Sequence, residues 1–181
     1  MLILASSSPR RHELLVAAGI PHIVQPSSTP EIMLPDEPPE NLVQRLAEQK
    51  ARAISPAEGD IVLGADTVVV LDGKVFLKPV DAADAARMLR LLSGRDHWVI
   101  TGICLLSTKK VFVGLCRTRV SVFPITDPEI EEYTRSGEPL DKAGAYAIQG
   151  LASKFIAGIE GCYHNVVGLP VARVYRHLRD F

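Results

Sequence analysis

The sequence predicts an α/β fold in which helices pack on the faces of a mixed β-sheet. Apolar runs of strand length and amphipathic helical segments follow one another without strict alternation along the 181 residues, a pattern typical of mixed sheets. Asp72-Gly73 stands between two apolar stretches and indicates a tight antiparallel hairpin. Two long apolar segments, at 97–107 and 110–123, follow each other and add two further strands.

Four elements are predicted in the first third of the chain. The apolar start gives a short buried strand, and Ser8 with Pro9 suits the N-cap and first position of a helix. After Pro39, apolar residues recur at helical spacing. The predicted order is a strand at 2–5, a helix at 9–19, a strand at 22–25 and a helix at 39–54.

The remaining elements follow from strand and turn signals. The stretch "DIVLGADTVVVLDGKVFL" indicates a strand, an interruption at Asp66 and then the hairpin. The order predicted after the hairpin is a helix at 81–92, strands at 97–107 and 110–123, a helix at 127–136, a loop at 136–150, a strand pair and a last helix at 169–179.

Length and composition indicate one ordinary globular domain spanning residues 1–181, or at most two small lobes. Hydrophobic residues make up 47% of the chain, enough for a sizeable core. The formal net charge of -1 disfavours a nucleic-acid binder, which usually has a basic excess. No apolar run is long enough to span a bilayer, and Cys104, Cys116 and Cys162 lack the spacing of a disulfide framework or a zinc site. We therefore expect a cytoplasmic protein with reduced thiols and neither a membrane nor a nucleic-acid partner.

Two arginines stand in the first turn of the first predicted helix. Arg10 and Arg11 oppose the helix dipole there by roughly 0.3–1 kcal/mol each. A bound anion would reverse that sign, because free backbone N–H groups, the Ser8 hydroxyl and two guanidinium groups together form a phosphate cradle. The alternative is a solvated first turn, and the residues alone leave both open.

Lys50 falls on the apolar stripe of the helix predicted at 39–54. It continues the row of Val43, Ala47 and Ile54 at helical spacing. A lone lysine in this position is commonly a side chain whose stem is buried while its ammonium reaches water. The alternative is a second ligand for the anion.

Asp66 lies between the apolar stretches "IVLGA" and "TVVVL". A carboxylate in such surroundings must be paired, bind a metal or shift its pKa, which favours a site acid over an Asx-turn or a β-bulge. Gly64 and Ala65 are expected to leave room for a group to approach the backbone.

The stretch "GEPLDKAGAYAIQG" (137–150) combines polar side chains with small residues. Glu138, Asp141, Lys142 and Gln149 stand there among alanines and glycines, which allow close approach of a ligand to the backbone. Lys142 is a candidate substrate-binding residue. A polar loop with ordinary turn chemistry is the alternative.

Six stretches of the chain together resemble a known family. They are "LASSSPRRHELL", "LAEQKARA", "GADTVVVLDGKV", "KPVDAADAARMLRLLSGRDHWVITG", "GEPLDKAGAYAIQG" and "YHNVVGLPV". In this order, from residue 4 to about 171, they resemble the Maf family of nucleoside triphosphate pyrophosphatases. The resemblance implies an elongated mixed sheet flanked by helices with a central cleft, related to the inosine-triphosphate pyrophosphatase group. It also implies hydrolysis to a monophosphate and pyrophosphate with a divalent cation, Mg²⁺ or Mn²⁺, and it suggests a homodimer.

The resemblance assigns roles to residues of this sequence. The proton-acceptor aspartate of the family corresponds to Asp66 in "GADT", although the residues alone do not separate a base from a metal ligand. The positions that discriminate between substrates correspond to Arg10, Thr67 and Gln149.

The resemblance also assigns charged residues around the phosphates. A metal-side carboxylate corresponds to Glu31, and lysines on the phosphate or metal side correspond to Lys50 and Lys78. Leu77 departs from the family pattern, in which a glutamate often precedes the Lys-Pro pair.

Gln149 predicts the substrate. The branch of the family that acts on dTTP and UTP carries glutamine here, and the branch that acts on 7-methyl-GTP tends to carry glutamate. An amide both donates and accepts, so it pairs with O4 and N3–H of uracil or thymine. We therefore expect a dTTP/UTP pyrophosphatase for nucleotide-pool housecleaning. The alternative is a nucleotide-binding regulator of septum formation with little turnover; a nucleotidyltransferase is disfavoured because no Gly-rich loop stands near the N-terminus.

Overall fold

The computed structural model describes residues 1–181 and contains seven strands and six α-helices. The strands are β1 (Leu2–Leu4), β2 (His22–Val24), β3 (Ile61–Leu71), β4 (Lys74–Phe76), β5 (Asp96–Leu106), β6 (Val111–Val122) and β7 (Ile156–Glu160). The helices are α1 (Pro9–Ala17), α2 (Pro39–Arg52), α3 (Ala82–Leu92), α4 (Asp127–Arg135), α5 (Tyr163–Val167) and α6 (Val171–Leu178). None of the helices has the length and apolarity needed to cross a membrane.

All seven strands belong to one mixed sheet. Its order is β2-β1-β3-β5-β6-β7, and β4 pairs with β3. Strand β1 is parallel to both β2 and β3, whereas the β3–β4 and β6–β7 pairs are antiparallel. The predicted α/β class, a mixed sheet flanked by helices, is therefore confirmed.

Most predicted elements have their observed counterparts within one or two residues at each end, but two predictions are wrong. No interruption occurs at Asp66, because β3 runs unbroken from Ile61 to Leu71 and a lysine pairs with the carboxylate. The second strand of the predicted C-terminal pair is absent. The chain turns at Gly161, where φ is 127°, and then forms α5, so its valines belong to a helix.

The chain divides into two compact units, with three division points inside β3, β5 and β6 and a fourth directly after α5. Unit 1 comprises Met1–Thr67, Ile100–Cys116 and Gly168–Phe181, and unit 2 comprises Val68–Val99 and Arg117–Val167. The single domain, the elongated sheet and the central cleft stay predictions.

Helix α2 packs closely on the sheet of unit 1 at two glycines. A Cβ at Gly64 of β3 would collide with the Ala47 carbonyl oxygen, and a Cβ at Gly102 of β5 would collide with the Val43 carbonyl group. The expected space at Gly64 is therefore filled by α2 and does not admit a ligand. This close contact brings the buried face of α2, with Lys50, against β3.

Unit 2 contains the hairpin between β3 and β4. Asp72 and Gly73 both have positive φ, 50° and 76°, and Leu71 pairs with Lys74 across the two-residue turn, as the sequence predicted. The predicted loop at 136–150 contains two short 3₁₀ turns, Glu138–Asp141 and Ala143–Ala145, and a third follows at Leu151–Phe155.

Candidate active site

Asp66 is a buried acid in the middle of β3, with 5% of its surface exposed. The Lys50 ammonium donates to Asp66 Oδ1 at 2.6 Å and to Glu31 Oε1 at 2.5 Å. Lys50 is itself 6% exposed, on the buried face of α2 where the helical spacing predicted it. Unit 1 thus brings together three of the predicted site residues: the carboxylates of Asp66 and Glu31 both accept a hydrogen bond from the ammonium of Lys50.

Burial dominates the electrostatics of Asp66. Desolvation raises the pKa of Asp66 above its ordinary value, while the nearby charges of Lys50 and Arg11 act in the opposite direction. The negative charge of Glu31 adds to the increase. Asp66 therefore holds a proton more readily than an exposed aspartate does, which suits a proton acceptor.

The Asp66 and Glu31 carboxylates fit the divalent cation that the family implies. Both already converge on one positive charge, the ammonium of Lys50. The chain has no group of three or more His, Cys, Asp or Glu side chains that could hold a metal ion. Mg²⁺ is commonly bound by one or two carboxylates, with substrate phosphates and water completing its shell, so two oxygen donors are sufficient.

The structure separates the two arginines that the sequence presented as equivalent. Arg11 is buried, and its guanidinium donates to Gly168 O at 2.9 Å, Ser6 Oγ at 3.0 Å and Thr67 Oγ1 at 3.1 Å. Burial lowers the pKa of Arg11. Arg10, in contrast, is half-buried. Arg11 therefore ties α1 to β3 and to the start of the C-terminal segment, and a substrate contact by either arginine stays a prediction.

Thr67 is held by a hydroxyl network in unit 1. Its Oγ1 lies 2.9 Å from Thr101 Oγ1 and 3.3 Å from Gly168 O, in addition to its bond from Arg11. Sequence reasoning missed Ser6 and Thr101. The signal for Thr101 was a polar residue inside the apolar segment "WVITGICLL", the same kind of anomaly that identified Asp66.

The N-terminus of α1 has the features of the predicted phosphate cradle. Ser8 is the N-cap residue in extended conformation, Pro9 follows, and the Ser8 side chain makes no capping hydrogen bond. No acidic residue stands in the first turn. The first N–H groups of the helix therefore lack a side-chain cap, which is the condition for anion binding.

The remaining predicted residues belong to unit 2. Lys78 is exposed after β4, and Gln149 is exposed on a turn. The Lys142 ammonium donates to Glu138 O at 2.7 Å and to Asp141 Oδ1 at 2.6 Å. Sequence reasoning missed Tyr133, a buried residue of α4 that bonds to Glu138, because a tyrosine on an apolar helix face gives no distinct signal.

Comparison with known proteins identifies the family. A family model described as Maf-like protein matches residues 1–181. A dTTP/UTP pyrophosphatase of Koribacter versatilis is 54% identical over 98% of this chain and 93% of its own. Proteins of the same name from Symbiobacterium thermophilum and Bacillus cytotoxicus are 50% and 47% identical over 99% of this chain, and 93% and 94% of their own.

A solved structure is more distantly similar. The crystal structure of a nucleoside-triphosphatase / dITP/XTP pyrophosphatase from Mycobacterium abscessus matches 98% of this chain and 93% of its own. Its TM-score of 0.45 and 14% identity are too low to add to the argument. The family model and the relatives, each spanning nearly the whole chain, are decisive: this chain belongs to the Maf family.

Proposed function

We propose that the protein hydrolyses dTTP and UTP to the nucleoside monophosphate and pyrophosphate. The observation that carries the proposal is the buried Asp66 carboxylate, held by Lys50 beside Glu31 in a strand where a structural role would favour an apolar residue. The name shared by the relatives at 47–54% identity supports the choice of substrate, and Gln149 supplies a physical reason for it.

In the proposed reaction a water oxygen attacks the α-phosphorus of the substrate. The bond from that phosphorus to the oxygen bridging it to the β-phosphate breaks, and pyrophosphate leaves with the electron pair. Asp66 accepts the proton that the water loses, and Lys50 keeps Asp66 Oδ1 oriented. The arginines and the open N–H groups at the start of α1, together with Lys78 and Lys142, are the proposed cationic and polar partners of the triphosphate.

Glu31 and Asp66 are the residues that would hold Mg²⁺ or Mn²⁺. When bound, the cation neutralises charge on the triphosphate oxygens. The protein's own contribution is the pair of carboxylates, which Lys50 already holds close together.

A panel of nucleoside triphosphates, with pyrophosphate and phosphate measured separately, tests the proposal. We expect pyrophosphate as the only inorganic product, the highest kcat/KM for dTTP and UTP, and little action on ATP or GTP. Release of phosphate, or a preference for 7-methyl-GTP, would contradict it. Tight binding of nucleotides without turnover would favour a regulator instead.

Gln149→Glu tests the substrate assignment. A carboxylate facing O4 of the base repels that oxygen and leaves it unpaired. The transition state of UTP should therefore lose about 1–3 kcal/mol of binding free energy, which is measured as a lower kcat/KM. Gln44→Glu, on α2 in unit 1, is the control for an added charge. An unchanged order of substrates in Gln149→Glu would remove Gln149 from base recognition.

A further inference from the structure

Gln149 sits on a short turn whose two ends are fixed. Gly150 N donates to Ala147 O at 3.1 Å and closes the turn, while the Gln149 side chain is exposed. An exposed amide on an unsupported loop would lose conformational entropy on binding a base. The groups that fix the two ends of the turn therefore affect how tightly Gln149 can bind a base.

Hydrogen bonds connect both flanks of the turn to one carboxylate, that of Glu138, directly on one side and through Tyr133 on the other. Leu151 N, after the turn, donates to Glu138 Oε2 at 3.1 Å. Ala147 N, at its start, donates to the Tyr133 hydroxyl at 3.3 Å, and that hydroxyl donates to Glu138 Oε1 at 2.8 Å. The two oxygens of one side chain thus tie down the two ends of the turn.

The Glu138 carboxylate fills the space beside Gly150. A Cβ at Gly150 would collide with the Glu138 carboxylate, so the carboxylate lies directly against the backbone beside Gln149. Tyr133 is 2% exposed, and burial together with the bond to Glu138 raises the pKa of its hydroxyl. The Tyr133 hydroxyl accepts from Ala147 N and donates to Glu138, so the chain of hydrogen bonds runs from the turn to the carboxylate.

We propose that Glu138 is a positioning residue for base recognition, acting through Tyr133 and the two backbone amides on the Gln149 turn. It does not touch the reacting atoms. The proposal rests on the proposed function only in assigning base recognition to Gln149.

Variants of both side chains test this, with UTP affinity measured by calorimetry in the Asp66→Asn background, which needs no turnover. Glu138→Ala and Tyr133→Phe should each weaken UTP binding by about tenfold, the size of one hydrogen bond. Glu138→Gln should recover part of the loss, because its amide oxygen still accepts from Leu151 N. Exposed residues serve as controls: Glu131→Ala for Glu138→Ala, and Tyr175→Phe for Tyr133→Phe.

Two further readouts separate positioning from a general loss of structure. In the active protein, KM for UTP should rise about tenfold while kcat changes less than threefold, because base recognition is uniform binding. In a Gln149→Ala background, Glu138→Ala should have no further effect on UTP affinity. Amide exchange should accelerate at Leu151 in Glu138→Ala and at Ala147 in Tyr133→Phe.

The outcomes distinguish this proposal from the proposed function. If folded Tyr133→Phe binds UTP as tightly as its Asp66→Asn parent, or if Glu138→Ala weakens binding equally with and without Gln149, Glu138 does not act through Gln149. If the wild type releases no pyrophosphate from any triphosphate, the proposed function fails, and the affinities and amide exchange still decide on Glu138. Should Glu138→Ala not fold, Tyr133→Phe, which keeps the ring, decides alone.

Discussion

Replacing the two adjacent arginines one at a time should have very different consequences for stability. Arg11→Ala removes a buried guanidinium and its three hydrogen bonds to Gly168 O, Ser6 Oγ and Thr67 Oγ1. Arg10→Ala, one residue earlier in the same first turn, removes a half-buried one. The pair is a matched comparison, because the helix, the charge and the chemistry of the substitution are the same.

The magnitude for Arg11 follows from its partners. Hydrogen bonds to a charged group contribute about 1.5–3 kcal/mol each. The sum over the three bonds of Arg11 is the upper limit of the free energy of unfolding that Arg11→Ala can remove. Thr67 keeps Thr101 and Gly168 within hydrogen-bond distance, and removing a desolvated cation from the first turn returns some free energy. We therefore expect Arg11→Ala to lower the free energy of unfolding by about 2–4 kcal/mol, or a Tm lower by roughly 4–16 °C for a chain of this size.

Urea unfolding followed by circular dichroism and by Trp98 fluorescence measures this difference, with coincident curves as the check for two-state behaviour. Arg10→Ala should change the free energy of unfolding by less than about 0.5 kcal/mol, and its effect should be a higher KM for UTP. The reasoning is refuted if Arg11→Ala is as stable as the wild type, or if Arg10→Ala loses as much stability as Arg11→Ala.

Three further predictions concern the acid, the metal and a buried histidine. Asp66→Asn should keep the fold and lose about 10²–10⁴-fold in kcat. Near-native turnover by Asp66→Asn would remove this carboxylate from the mechanism. Pyrophosphate release should stop in excess EDTA and return with Mg²⁺ or Mn²⁺, whereas undiminished release in EDTA would exclude a metal. Burial lowers the pKa of His97 to about 4, so the unfolded chain binds the proton first and stability present above pH 6.5 is lost as the pH falls toward 4, by about 3 kcal/mol. His97→Gln should reduce this loss between pH 7 and pH 4.5 in urea unfolding, and an identical pH dependence in the variant would show that other groups cause it.

Local sequence pattern determined most of the elements of this protein. Apolar spacing placed α2 and β3, and the positive φ angles of Asp72 and Gly73 are those that the residue pair predicts. The pattern failed where a long-range contact changed the meaning of a residue. Asp66 was expected to interrupt its strand, and the strand continues because Lys50 of α2 pairs with the buried carboxylate.

The sequence by itself also identified Asp66, Lys50 and Gln149 as candidates, because a charge among apolar residues or an amide in a family motif is visible without coordinates. Only the tertiary structure decided that Arg11 is buried while its neighbour is half-exposed, that Gly64 accommodates a helix, and that Glu138 holds the turn of Gln149. The physical reason is the distance along the chain: Arg11 and Gly168 are 157 positions apart. Their contact depends on how α1 packs against the start of the C-terminal segment, and no local pattern of residues encodes that packing.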